Sequence, residues 1–531
     1  MYVATVPNRS SPSAILLRES FRQDGKVHSR TLANLSHWDP ARIQALQRAL
    51  RGDFDHLASP DPTLGLVFGL LFVLKQIADA LGLTAALGKS RLAKLALFLV
   101  LARVAHQGSR LSAVRWAKDH AVAEVLGLAS FDEDDLYAAL DDLCVRQEAI
   151  EKTLYRRYLD RRGAPPALFL YDVTSSYLEG ELNALGEYGF PHDGKRGKLQ
   201  IVIGLLADDQ GEPLAVRVFA GNTGDPATVA AQIRIVKDQF GVQELVFVGD
   251  RGMVKSKGKQ ALKEEGLRYI SALTDPQIRK LLSTGTLQMS LFAEQVCEVE
   301  ADGVRYVLRK NEAEEARVQH RWEDKLAKLS GKVEQRNQRV KKSKRCQPEA
   351  GRRQLQAWVA RHKLTGQVEL RVEDRTITLE CNQAAIDRAM QLAGCYAVVT
   401  DVPKEQMNEQ AVHDSYMSLQ KVERDFRLLK TGLLEVRPVF VRKESRTRGH
   451  VFCCMLALKL GREIERRLQA AFGTTDADPH ALTVSDALAA LSRLCLLEYQ
   501  IDDKTKLTRL PNPDARQEEI LAALGVSLPK K

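Results

Sequence analysis

Residues 167–180 read ALFLYDVTSSYLEG. The apolar run Leu168-Phe169-Leu170-Tyr171 leads into an acid, Asp172, and the β-rich character resumes at Val173. That pattern predicts a strand covered on both faces. A carboxylate inside such a strand is costly unless a cation or a set of hydrogen bonds compensates it. The partner of Asp172 therefore decides what the strand is for.

Working outward, KLQIVIGLLAD (198–208) predicts a second strand, DDQGEP (208–213) a turn and PLAVRVFAGN (213–222) a third strand. Asp225-Pro226 opens a helix to about Phe240, and ELVFVGD (244–250) is a buried strand that again ends on an acid. Three strands joined by turns, a helix and another strand resemble the early topology of the RNase H-like α/β fold. Upstream, 1–40 reads as a small β module with a turn at RQDGK (22–26), and 41–160 as a helical domain. The first part of the α/β core spans 161–254. An insertion domain follows at 255–394, with strand-like pieces around a long charged helical stretch. The core returns at 395–470 through CYAVVTD (395–401), a helix from about His413 to Lys430 and another from about Glu444 to Leu468. A helical tail occupies 471–531. The expected fold class is thus α/β: an interrupted RNase H-like core preceded by a β module and a helical domain.

The formal net charge is +10, which suits a polyanionic partner such as nucleic acid or an acidic membrane surface. Between positions 305 and 363 stand 18 Lys or Arg against 7 Asp or Glu, so the surplus is concentrated in the insertion. Within it, Lys341, Lys342 and Arg345 of RVKKSKRC (339–346) favour phosphate contact; a solvated helical face is the alternative. The longest apolar run, LGLVFGLLFVL (64–74), ends at Lys75 and is too short to span a bilayer. The start, MYVATVPNRSSPS, lacks a signal-type apolar segment. A cytoplasmic protein without a membrane partner is expected. Eight scattered cysteines form no Cys-x-x-Cys pair, which fits structural thiols in a reducing compartment. GLTAALGKS (82–90) mimics a phosphate-binding loop but has five residues between its glycines where the motif requires four.

Three acids stand out by setting. Asp172 lies inside the first strand, Asp250 closes ELVFVGD, and Glu423 sits on YMSLQKVERDFRLLK (416–430). On one continuous helix Tyr416, Glu423 and Lys430 share a face, with Arg427 nearby. Two aspartates and a glutamate together form a hard-oxygen site suited to Mg²⁺ or Mn²⁺. Two such ions roughly 3.5–4 Å apart clamp the attacking and leaving oxygens of a phosphodiester. Each acid also has a plain structural reading. Asp172 bonds to Thr174 or Ser175, Asp250 forms a turn before Arg251-Gly252, and Glu423 pairs with Arg427.

Taken together, these blocks resemble the DDE transposases of bacterial insertion sequences, in the cut-and-paste group with a Tyr-Arg-Glu-Lys signature around the third acid. Tyr416, Glu423 and Lys430 fall on the Tyr, Glu and Lys positions; Leu419 stands where the signature has Arg. LYDVTSSYLEG resembles the first-Asp block and VFVGDRGM the second. LLEVRPVFVRKESRTRGHVFCCMLALKL (433–460) resembles the downstream block, with Arg437, Pro438 and His450 at matching places, and GKVHSRTLANL (25–35) one branch's N-terminal module. The resemblance implies cleavage of the element's ends by metal-activated water and transfer of the freed 3′ hydroxyl into target DNA. Asp172, Asp250 and Glu423 would be the metal ligands, with two Mg²⁺ or Mn²⁺ ions per active site. Tyr416, Lys430, Arg427, Arg251, Lys255, Lys257 and Arg437 would contact DNA, and the helical portion of the first 160 residues would recognise the ends. The partners implied are terminal inverted repeats, target DNA and a second copy of the chain in the DNA complex. A nuclease on the same fold without strand transfer, or an inactive DNA-binding relative, are the competing readings.

Overall fold

A computed structural model describes the chain except at residues 9–11, 54–61, 192–193, 243–244, 252–258, 260–261, 265, 431–433, 437–440, 475–480, 501–505 and 530–531. The described residues form two compact units, and their bounds cut across the expected segments. One comprises residues 1–76, 115–127 and 465–531, the other 77–114 and 128–464.

In the first unit, β1 (Tyr2–Val6), β2 (Ala14–Gln23) and β3 (Lys26–Asn34) form an antiparallel sheet in that order. The β2–β3 turn is Asp24-Gly25, both with positive φ, as a two-residue hairpin of Asp-Gly type requires. The second sheet of this unit was not expected. β4 (Thr63–Val67) pairs with β15 (Cys495–Gln500), which pairs with β16 (Lys506–Arg509). The apolar run at 64–74 is therefore half strand and half helix, and the C-terminal segment is not purely helical. The local reason is close packing: a Cβ on Gly69, at the strand-to-helix junction, would lie 2.7 Å from the Leu494 side chain.

The second unit is built on a mixed α/β architecture. Its eight-stranded sheet runs β10-β11-β14-β9-β8-β5-β6-β7. The strands are β5 (Leu168–Tyr177), β6 (Gln200–Asp208), β7 (Pro213–Ala220), β8 (Val246–Gly249), β9 (Arg268–Ala272), β10 (Cys297–Ala301), β11 (Val304–Lys310) and β14 (Cys395–Thr400). β5, β6 and β7 form an antiparallel meander, whereas β8 runs parallel to β5 and β9 parallel to β8. Every residue of β6 and β8 is buried, and β5 is buried except at Asp172 and Tyr177. Phe169, Tyr171, Phe247 and Val399 belong to one core with Tyr155 and Tyr158 of the Glu133–Arg162 helix.

Two expectations about 255–394 change. RYISA (268–272) is not insertion but the strand next to β8, and the β10–β11 hairpin extends the same sheet through β14. The segment between β11 and β14 has a core of its own. The helices Glu312–Lys342 and Pro348–Arg361 pack Leu329, Val333, Leu355 and Val359 against the hairpin β12 (Val368–Glu373) and β13 (Thr376–Cys381). Among the described residues no helix is long and apolar enough to cross a membrane.

Candidate active site

β5 and β8 are in parallel register up to the pair Tyr171–Gly249. The next residue on each strand is an aspartate, Asp172 and Asp250. Neighbouring strands lie about 4.8 Å apart, so the register carries both acids to the same end of the sheet. Where β8 stops, one of the contacts of Asp172 is local: the Val173 amide donates to its Oδ1 at 2.8 Å. Asp172 is half-buried, while Asp250 is exposed at the strand end, its backbone oxygen accepting from Ser271 Oγ of β9 at 3.1 Å.

The expected helix from His413 to Lys430 is two helices, Glu409–Met417 and Leu419–Lys430, separated at Ser418. Serine hydroxyls explain the break. Ser415 Oγ bonds back to Ala411 O at 2.7 Å and Ser418 Oγ to Asp414 O at 3.0 Å, contacts that bend helices. Tyr416 and Glu423 therefore lie on successive helices rather than on one. The Tyr416 hydroxyl donates to Asp250 Oδ1 at 3.1 Å. Burial, then the Asp250 charge, push its phenol above the ordinary range, while Arg251 pulls the other way. Arg251 is also 3.6 Å from Asp275.

The Leu419–Lys430 helix packs on β5. Leu419, Val422, Phe426 and Leu429 are buried at helical spacing, a stripe contributing roughly 1.5–3 kcal/mol per side chain. Glu423 and Lys430, seven apart, lie together along the flank of that stripe, with Arg427 next to them. Glu423 and Arg427 are exposed. Leu419, at the signature's Arg position, is part of the buried stripe. The three acids do not form a ready-made cage: among the described residues, no three His, Cys, Asp or Glu side chains are grouped to hold a metal ion.

The remaining expected contacts are spread out. Lys341 and Lys342 are exposed in the last turn of the Glu312–Lys342 helix, where cations suit the helix dipole, and Arg345 is exposed just beyond. Lys255, Lys257 and Arg437 lie outside the described residues. Lys259 is turned inward, 4.7 Å from the Tyr269 ring centroid. His450 is fully buried, with Nε2 donating to Val436 O at 3.0 Å and Nδ1 accepting from Arg110 at 3.1 Å. Burial, then Arg110 and Arg103, hold its pKa well below the ordinary value, and both ring nitrogens are engaged in hydrogen bonds.

Sequence reasoning missed a polar cluster around the β6–β7 turn. Buried Asp208 accepts from Tyr158 at 2.9 Å and from Arg162 at 2.6 Å, and Lys459 Nζ donates to Glu212 at 2.7 Å. Burial pushes the Asp208 carboxyl up. Burial acts the same way on Glu212, but Lys459 and Arg161 outweigh it and hold that carboxyl at about 2. The signal was present in DDQGEP, a turn with more acids than a turn needs.

Residues 163–460, more than half of the chain, match the family model described as Transposase DDE domain. The chain belongs to this family of DDE transposases. Residues 3–61 match the model described as IS1634 family transposase, N-terminal domain, which places the chain among insertion-sequence transposases. No curated protein matches. Among solved structures, the piggyBac transposase synaptic complex with hairpin DNA, determined by cryo-electron microscopy, is similar at 10% identity and a TM-score of 0.35, over 81% of each chain.

Proposed function

We propose that this transposase cleaves DNA at the ends of its element and joins the freed 3′ hydroxyls to target DNA, with Asp172, Asp250 and Glu423 as the acids of an RNase H-like active site. The observation that carries the proposal is the parallel register of β5 and β8, which runs to the residues just before Asp172 and Asp250; the helix bearing Glu423 packs on β5. The strand order β7-β6-β5-β8-β9, antiparallel then parallel, supports the fold assignment.

The donor chemistry fits Mg²⁺ or Mn²⁺: all three side chains offer hard carboxylate oxygens, and two stand at adjacent positions of neighbouring strands, Asp172 within β5 and Asp250 just past β8. When bound, such ions activate water and stabilise charge on the oxygens of the phosphodiester being cut. The chain's own groups position the reactants. Tyr416 orients Asp250 through its hydroxyl, and Lys430, Arg427 and Arg251 hold DNA phosphates beside the acids. Lys341, Lys342 and Arg345, with Lys255, Lys257 and Arg437, add backbone contacts, and the helical part of the first 160 residues recognises the terminal repeats. Two chains would pair two ends.

The test uses purified protein, a labelled element end and Mg²⁺. Asp172→Asn, Asp250→Asn and Glu423→Gln should each abolish end cleavage while end binding persists. Cleavage retained in any one of them removes that residue from the site. Strand-transfer products with pre-cleaved ends separate a transposase from a nuclease.

A further inference from the structure

The helix carrying Glu423 is held from its opposite side. Asp425, fully buried, accepts from Arg462 Nη1 at 2.6 Å. The same guanidinium donates to Gly211 O at 2.8 Å and Gln210 O at 3.3 Å. Lys421 Nζ donates to Asp209 O at 2.7 Å. Lys421 and Asp425 are one turn apart, on one flank, and at 3.6 residues per turn Glu423 projects about 160° away from each. Both anchors reach the same short segment, the β6–β7 turn.

That turn is itself immobilised. Arg162 bridges Asp208 and Asp209 at 2.6 and 2.5 Å, and Lys459 joins Glu212 to Pro213 O. It is also in fixed register with the catalytic strand, since β5 pairs with β6 from Phe169–Asp208 through Asp172–Leu205. The ladder that sets Asp172 therefore sets the turn to which the Glu423 helix is tied. Apolar packing of Leu419, Val422, Phe426 and Leu429 attaches the helix but is non-directional. A planar guanidinium shared between a carboxylate and two carbonyls fixes rotation and height as well.

We propose that Arg462, acting through Asp425 and assisted by Lys421, is a positioning device that sets the rotation of the Leu419–Lys430 helix and so the aim of Glu423 toward Asp172 and Asp250. This rests on the reading of Glu423 as a metal ligand. Arg462 touches no substrate in this scheme; it references the third acid to the strand pair that bears the first.

The test measures Mn²⁺ binding to the full-length protein by electron paramagnetic resonance, together with end cleavage and end-DNA affinity. Arg462→Lys keeps the charge and loses the fork; Asp425→Asn keeps an acceptor and loses the charge; Lys421→Met removes the second anchor alone. Circular dichroism identifies the variants that remain folded. In folded Arg462→Lys or Asp425→Asn, Mn²⁺ affinity should fall about 10-fold or more, as for outer groups that orient ligands. Lys421→Met should show a smaller loss, and in all three kcat should fall with end-DNA affinity unchanged. A purely structural role predicts lower thermal stability with Mn²⁺ affinity intact, and that result in the folded variants overturns the proposal. Glu423→Gln is measured alongside. If it weakens Mn²⁺ binding while the anchor variants do not, only the positioning role falls. If Glu423→Gln leaves Mn²⁺ binding unchanged, the assignment of Glu423 falls and takes this proposal with it.

Discussion

The Tyr416 hydroxyl donates to Asp250 Oδ1 at 3.1 Å, joining the helix before the Ser418 break to the end of β8. Its phenol is held above the ordinary range, first by burial and then by the Asp250 charge, so it remains a neutral donor at physiological pH. A hydrogen bond to a charged group contributes about 1.5–3 kcal/mol. Tyr416→Phe should therefore lower the rate of end cleavage about 10- to 100-fold. Single-turnover kinetics with a labelled end measure the effect, and an unchanged rate would separate Tyr416 from the site.

Acid stability should report on Glu212. Lys459 and Arg161 overcome the effect of burial and depress its carboxyl from 4.5 to about 2. A depressed carboxyl stabilises the fold above its unfolded value, and that stabilisation is lost as pH falls from about 4.5 toward 2. Asp208, raised by burial, acts in the opposite sense. Glu212→Gln should thus flatten the loss of stability on acidification below about pH 4.5, as read from urea midpoints at stepped pH. An acid limb as steep as that of the wild type would contradict the assignment.

Leu419 occupies the place of the signature arginine, yet only 5% of it is exposed. Restoring the signature by Leu419→Arg would put a guanidinium into the stripe that packs on β5. Burying a charge there should cost about 2–4 kcal/mol of unfolding free energy, visible as a lower urea midpoint. If the variant is as stable as wild type and cleaves faster, the residue has access to DNA that its burial denies.

Lys341 and Lys342 offer a cleaner electrostatic test because both are exposed. Each phosphate neutralised contributes about 0.9 to the slope of log K against log salt on duplex DNA. Replacing both by Met should reduce that slope by about 1.8 and weaken binding across sequences alike. A slope identical to wild type would assign the basic stretch to solvation.

Much of the fold was legible because its cues are local. The hairpin at Asp24-Gly25, the meander from β5 to β7 and the acid-tipped β8 follow from turn residues and apolar runs that mean the same thing in any context. What failed depended on partners far along the chain. LGLV became a strand because Cys495–Gln500 pairs with it, and RYISA joined the main sheet because β8 and β14 flank it. The continuous helix through Tyr416 failed for a short-range reason, the two serine hydroxyls that compete for backbone carbonyls.

The sequence alone determined which acids stand in strand and helix settings, and that the chain carries its positive excess between 305 and 363. Strand register brings Asp172 and Asp250 side by side, and only the packed chain joins Arg462 of the Glu444–Phe472 helix to Asp425 on the helix of Glu423. Periodicity fixes which residues share a face, because that depends on bond geometry between neighbours. Only the packed chain fixes which faces meet, because hydrophobic attraction has no direction of its own and the orienting charges come from remote segments.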